Sequence, residues 1–251
     1  MPNFKLTIEY DGRNFSGWQI QTNDKRTIQG EIKKALERIT KTTVTVVGAG
    51  RTDSGVHAAG QVAHATLCSR LDCDTLLRAL NANLPDDIAI LKIQKVSARF
   101  HAQYLAKSKI YRYTILNREA RCAKKRGFYY HVPKALDIAL MKDESKILLG
   151  RHNFLAFTAS DAWSKKHHVE KNTVRTIKRI LFAKRNGFLT IDIEANGFLY
   201  KMVRNIMGTL IEIGTGKIKK GTLKTILLSK ARRNAGPTAP AQGLCLLKVK
   251  Y

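Results

Sequence analysis

The sequence predicts an α+β protein of two mixed halves, with a largely antiparallel central sheet flanked by helices and a cleft between the halves. Three observations predict this. Several short stretches alternate apolar and polar residues with the period of a strand. Others repeat apolar residues every three or four positions, as a helix lying on a core does. The two kinds do not alternate strictly, as a parallel sheet with crossover helices requires. The halves are expected at residues 1–105 and 106–251; they share an outline of element order but no sequence repeat. At 251 residues the chain is long enough for one large domain or two small ones.

Each element follows from its residues. Phe4, Leu6, Ile8 and Tyr10 alternate with Lys5, Thr7 and Glu9, a strand with one wet face that Asp11 and Gly12 end. Residues 15–21 read as an irregular loop carrying Phe15 and Trp18. Thr27 is placed to cap a helix whose face is Ile28, Ile32, Leu36 and Ile39. A strand at 43–47 runs into a glycine-rich turn, and further strands follow at 61–67 and 88–96. Between those two, a helix opens at Asp74 with Leu76, Leu77 and Leu80. In the second half a strand at 110–116 puts Tyr111 and Tyr113 on one face. A helix is expected over 134–149 with Leu136, Leu140 and Ile147 inward. Strands at 176–182 and 188–195 form a hairpin through Asn186-Gly187. A long helix over 198–213 aligns Met202, Ile206 and Leu210; a shorter one covers 222–228, and a strand at 244–251 closes the chain.

Composition narrows the function classes. Lys and Arg number 45 against 19 Asp and Glu, a net charge of +26. The excess is uneven: residues 1–100 carry 14 basic and 10 acidic side chains, residues 101–251 carry 31 and 9. Such a field captures polyanions, and nucleic acid is the polyanion whose binding gains most from counterion release. A membrane surface would call for a basic amphipathic helix with exposed aromatics, which the pattern lacks. No apolar run reaches 18 residues, so no spanning helix is expected. The first residues show no basic start followed by an apolar block, so no secretory signal is expected. Cys68, Cys73, Cys122 and Cys245 have neither CxxC pairing nor metal spacing and read as reduced thiols of a cytoplasmic protein.

The stretch GAGRTDSGVH at 48–57 carries the chemistry. It sets one carboxylate, Asp53, in a turn rich in glycine, with Arg51 two positions before it. A fixed, ionised carboxylate beside a guanidinium suits a nucleophile or a general base. Asp and Ser before Gly are also ordinary turn formers, so the turn gains meaning from its company. Arg204, on the long helix between Val203 and the Met202/Ile206 face, is a second cation that partial burial would oblige to find an acid. Tyr111 and Tyr113 stand in the basic run KSKIYRY, where aromatics serve either as stacking faces for bases or as cross-strand packing. Phe15 and Trp18 carry the same two readings. The seven histidines form no metal pattern; His167 and His168 fall in a basic loop. The turn is no dinucleotide fingerprint either, since it lacks the third glycine and a strand follows it.

Eight stretches, in order, resemble the TruA family of tRNA pseudouridine synthases: FSGWQIQ at 15–21, TIQG at 27–30, GAGRTDSGVH at 48–57, FHA at 100–102, KIYRY at 109–113, NTVRTI at 172–177, ANGFLYKMVRN at 195–205 and TAPAQGL at 238–244. The stretch 159–171 resembles the family least. The resemblance implies a pseudouridine synthase fold and a tRNA substrate modified at positions 38 to 40 of the anticodon arm. It implies a homodimer holding one tRNA, and a reaction without metal or redox cofactor. It implies that Asp53 is the catalytic acid, as nucleophile or as base, that Tyr111 lies against the target base, and that Arg204 pairs with the acid. Arg51 would help take the base from its stack, and Leu244 would line the pocket. Ser54 stands where alanine is common. The alternatives are a related synthase acting on another RNA and a non-catalytic RNA-binding module; the latter expects a damaged Asp53 turn or a missing Tyr111, and both are intact.

Overall fold

The computed structural model describes residues 2–21, 25–69, 71–159 and 172–251. The expected basic loop with His167 and His168 lies outside these residues, as does all but the first position of 159–171. The chain forms two compact units, one of Met1–Lys109 with Cys245–Tyr251 and one of Ile110–Leu244. The boundary thus falls at 109/110, and the last seven residues return to the first unit.

In the first unit, β1 (Asn3–Tyr10) pairs antiparallel with β3 (His57–Thr66) on one side and β4 (Ile88–Val96) on the other. The far edge of β3 is shared. Its last residues pair antiparallel with β2 (Thr45–Gly48), and its first two pair parallel with β10 (Leu244–Lys250), Cys245 facing His57. The expected strand at 61–67 therefore starts four residues earlier, because Ala58 pairs with Tyr10 of β1 and both His57 and Ala58 pair with β10 from the far end of the chain. Helix α1 (Ile28–Thr40) begins at the cap the sequence predicts: Thr27 Oγ1 accepts from the Gly30 N–H at 3.2 Å. It buries Ile28, Ile32, Ala35 and Leu36, while Ile39 is only half-buried. Helix α2 (Cys73–Asn83) starts one residue before Asp74, since the carboxylate of Asp72 accepts from the Thr75 N–H at 2.7 Å.

In the second unit the sheet order is β5 (Ser108–Leu116), β9 (Phe188–Ala195), β8 (Val174–Arg185), β7 (Gly150–Asn153), with the two-residue β6 (Tyr130–His131) parallel to β5. The β8–β9 hairpin turns at Asn186 and Gly187, both with positive φ, the backbone its Asn-Gly pair favours. Across both units the pairings are mostly antiparallel, so the α+β expectation holds.

Two helices of the second unit differ from expectation. The helix expected over 134–149 is α3 (Ile138–Ser145) followed by one 3₁₀ turn at Lys146–Leu148. The carboxylate of Asp137 accepts from the Leu140 N–H at 2.8 Å and sets the start. Its buried residues are Met141 and Ser145, with Leu136 buried ahead of the helix and Leu148 after it, so Leu140 and Ile147 are not the inward face. The helix expected from 198 is α4 (Met202–Gly214), since Lys201 adopts a left-handed conformation at φ 57°. Apart from Arg204 and Glu212 its residues are buried, as suits a helix apolar all round. Helix α5 (Thr222–Ser229) lies close to its expected span.

A strap over α4 ties the second unit together. A Cβ on Gly208 would stand 1.7 Å from the carbonyl oxygen of Pro237, so the strap crosses where the helix has no side chain. Asn205, fully buried, is its hub. Its Nδ2 donates to Phe157 O at 2.7 Å, and its Oδ1 accepts from Thr238 Oγ1 at 2.7 Å and Arg232 Nη2 at 3.2 Å. Gly208→Ala forces strap and helix apart and is expected to destabilise the protein by about 1–3 kcal/mol; thermal or urea unfolding reads this directly, and an unchanged midpoint would contradict the close crossing.

Candidate active site

The Asp53 turn is made by a break in strand pairing. Strand β2 leaves β3 after Gly48, opposite Ala63, and β10 meets β3 only at Ala58 and His57. Residues 49–56 fill the interval. Ala49 N–H donates to Val62 O at 2.7 Å, and Gln61 Nε2 donates to Gly50 O at 2.9 Å, holding the departing chain against β3. Trp18 N–H donates to Thr52 O at 3.1 Å, and Ser54 Oγ donates to Phe15 O at 3.0 Å. The Thr52 hydroxyl lies 2.8 Å from Tyr10 Oη. Burial pushes the Tyr10 phenol above its usual range, against hydrogen bonds from Thr52 and Gln61, so it remains a neutral hydroxyl. Asp53 O accepts from Val56 N–H at 3.2 Å, closing the turn.

The residues on both sides of Asp53 are thus pinned by strands and by the 15–18 loop. The loop is pinned in return: Trp18 and Phe15 are 1% and 2% exposed, so both rings are core and neither is a stacking face. A Cβ on Gly48 would stand 2.5–2.7 Å from the Trp18 indole, and one on Gly50 would stand 2.7 Å from Lys109 Nζ. Asp53 itself is half-buried and Arg51 exposed.

Tyr111 and Arg204 belong to the second unit. Tyr111 is 7% exposed and meets Phe198 edge to face, centroids 5.1 Å apart at 89°. Tyr113, two positions on, is wholly buried; its hydroxyl donates to Pro240 O at 2.8 Å, and Gly243 packs on its ring. Of the two tyrosines expected on one face, Tyr113 is therefore a structural post. Arg204, half-buried as its helical position suggested, donates from Nε to Ala239 O at 2.8 Å and accepts on its own carbonyl from Ala239 N–H at 3.1 Å. The strap that crosses Gly208 thus also aims this guanidinium. Its charge acts against the burial that raises the Tyr113 phenol. Leu244 is 6% exposed.

Sequence reasoning missed four supports: Gln61, which tethers Gly50; Lys109, which lies beside it; Phe198, against Tyr111; and Ala239, which orients Arg204. All but Gln61 sit inside the motif stretches, but only contact shows what each holds.

The chain matches the family described as tRNA pseudouridine synthase over residues 6–105 and 145–251. It is 43% identical over 251 residues to the tRNA pseudouridine synthase A of Thermoanaerobacter sp. (strain X514), covering all of both chains. It is 44% identical over 251 residues to that of Acetivibrio thermocellus, again covering all of both. With that of Moorella thermoacetica the identity is 42% over 252 residues. A solved structure titled as a Cbf5-Nop10-Gar1 complex aligns with 96% of this chain and 57% of that chain at 11% identity, with a TM-score of 0.36, too loose a superposition to bear on the fold.

Removing the Gln61 tether should loosen the turn before it unfolds the unit. Gln61→Ala is expected to speed amide exchange at residues 50–53 while costing about 1–2 kcal/mol of global stability; exchange rates in the turn equal to those of the parent protein would show that the tether is not needed.

Proposed function

The chain belongs to the tRNA pseudouridine synthase family, and on that premise we propose that it isomerises uridine to pseudouridine at positions 38, 39 and 40 of the tRNA anticodon stem-loop, with Asp53 as its catalytic residue. The observation that carries the assignment of Asp53 is its setting. It is a half-buried carboxylate in a turn held on both sides by hydrogen bonds to Trp18, Gln61 and Phe15. Such a group keeps its aim without a reorganisation cost during reaction.

The chemistry follows from the product. The bond between uracil N1 and ribose C1′ breaks, the base turns, and C5 bonds to C1′; C5 then loses its proton and N1 gains one, so the product is an isomer. The uridine must leave its stack first, because its glycosidic bond is out of reach inside a helix. Asp53 acts on the sugar, either attacking as a nucleophile or taking a proton as a base. Both routes need the carboxylate ionised, and Arg204 is the partner we assign to keep it so. The bond from its Nε to Ala239 O fixes the orientation of the guanidinium within the second unit. Tyr111 offers a flat face to the detached base and a hydroxyl able to move a proton at C5 or N1. Arg51, exposed and two residues from the acid, suits the task of drawing the uridine out. Leu244 is the residue we assign to the apolar wall against the base. The excess of positive charge in residues 101–251 holds the phosphate backbone and sets position without reading sequence.

The reading includes a homodimer that holds one tRNA, and a cytoplasmic location, where its substrate is and where four free cysteines stay reduced. Sedimentation with and without tRNA tests the first, and cell fractionation the second. No described helix is long and apolar enough to cross a membrane.

Asp53→Asn is expected to abolish pseudouridine formation in unmodified tRNA transcripts while tRNA affinity changes by less than about threefold; product at the parent rate would remove Asp53 from its role. Arg204→Lys keeps the charge but loses the fork, and kcat should fall by about tenfold or more. Binding should weaken linearly in log Kd against log salt; a flat plot would argue against backbone capture. Mapping the modified positions separates this reading from a synthase acting elsewhere.

A further inference from the structure

An aromatic stack in the first unit is used by none of the roles above. It begins at the half-buried His64 on β3 and ends at the surface in Tyr104. The ring of His101 lies 4.8 Å from that of His64, and Tyr104 stacks on His101 with centroids 4.1 Å apart and planes 19° from parallel. Tyr104 is nevertheless 78% exposed, and its neighbour Leu105 is 49% exposed.

The stack is held from below. The Ala102 N–H donates to His64 Nδ1 at 3.1 Å, and the Gln103 and Tyr104 N–H groups donate to His101 Nδ1 at 3.3 and 3.2 Å. These bonds place both histidines in the tautomer with Nδ1 unprotonated. Burial first, and the neighbouring His101 second, hold His64 below its usual range. The loop is clamped further by Tyr251, whose hydroxyl donates to Ala102 O at 2.8 Å, and by Asn3, whose Nδ2 donates to Phe100 O at 2.9 Å. Lys5 Nζ sits 4.3 Å from the Tyr251 ring centroid and 5.5 Å from that of Phe100. With one face already stacked on His101, the Tyr104 ring presents a formed stacking face to solvent, which lowers the cost of stacking on it.

The surrounding charge selects the occupant. Within the first unit, residues 88–109 contain five Lys and Arg and no Asp or Glu, among them the exposed Arg99 and Lys107 on either side of the stack in sequence. A two-fold contact would set this basic stretch against itself. A polyanion carrying unpaired bases is attracted to it and brings a ring to stack. A surface this open cannot exclude water, which suits binding and not bond-breaking.

Building on the tRNA reading, we propose that Tyr104, backed by His101, is a stacking step for an unpaired nucleobase of the RNA substrate, distinct from the uridine that reacts.

The test compares Tyr104→Ala and Tyr104→Phe in the full chain, measuring Kd for an unmodified tRNA transcript over a salt series, KM and kcat, melting temperature and sedimentation. Tyr104→Ala should raise Kd and KM about tenfold, the size of one lost base stack. Tyr104→Phe should bind like the parent protein, and the salt slope of Tyr104→Ala should match the parent's, since no phosphate contact is lost. With 5-iodouridine in the tRNA loops, a photo-crosslink should fall on the peptide containing Tyr104. Parent-like binding by Tyr104→Ala would overturn the proposal, as would a fall in kcat with Kd unchanged. Loss of the dimer on Tyr104→Ala would give the ring to a second copy and also overturn it. If the parent protein itself neither binds nor modifies tRNA, the functional reading fails first, a result distinct from a parent that does both beside an unaffected Tyr104→Ala.

Discussion

Close approach at Gly48 is the constraint on which the Asp53 turn depends. The chain leaves β2 with Gly48 against the Trp18 indole, and Lys109 then occupies the space where a side chain on Gly50 would be. A methyl at position 48 would push the turn off the indole and break its alignment with β3. The consequence runs outward from there. Trp18 can be buried because Gly48 receives it, the 15–18 loop can bond Thr52 and Ser54 because Trp18 is buried, and Asp53 is positioned because both its neighbours are bonded. Packing and hydrogen bonding here are one device.

The second unit solves a similar problem with a strap. A helix apolar on nearly every side must be covered on every side, and the 236–240 segment covers it where Gly208 permits contact. Asn205, Thr209 and Arg232 satisfy the polar groups that this crossing buries, with Gly236 N–H donating to Thr209 Oγ1 at 2.9 Å. The same segment supplies the carbonyls that orient Arg204 and anchor Tyr113. A residue assigned to chemistry is therefore held by groups whose first task is stability, so stability and activity are coupled through one strand of chain.

Aromatic residues divide in the same way. Trp18, Phe15 and Tyr113 stand among basic and polar residues in sequence, yet each fills core. Tyr104 stands in a similar run and is held outward. Tyr111 lies between these cases, buried but with its ring edge-on to Phe198. Composition alone treats them alike; burial separates them.

By itself the sequence determined what local forces decide. The alternation of Phe4, Leu6 and Ile8, the Thr27 cap, the Asn186-Gly187 turn and the charge imbalance all rest on interactions within a few residues, and each was legible. So was the Asp53 turn, since its glycines, acid and arginine are contiguous. Tertiary structure decided the rest, because the partners are distant in the chain. The start of β3 at His57 depends on Tyr10, Cys245 and Leu246. The shortened α3 depends on Asp137, whose N–H donates to Gly214 O while its carboxylate caps the helix. Gln61 reads as one more polar residue in a strand until the carbonyl of Gly50 is seen to need it. Local pattern chooses the element; which buried polar group must be satisfied, and by whom, is settled only when the chain has closed on itself.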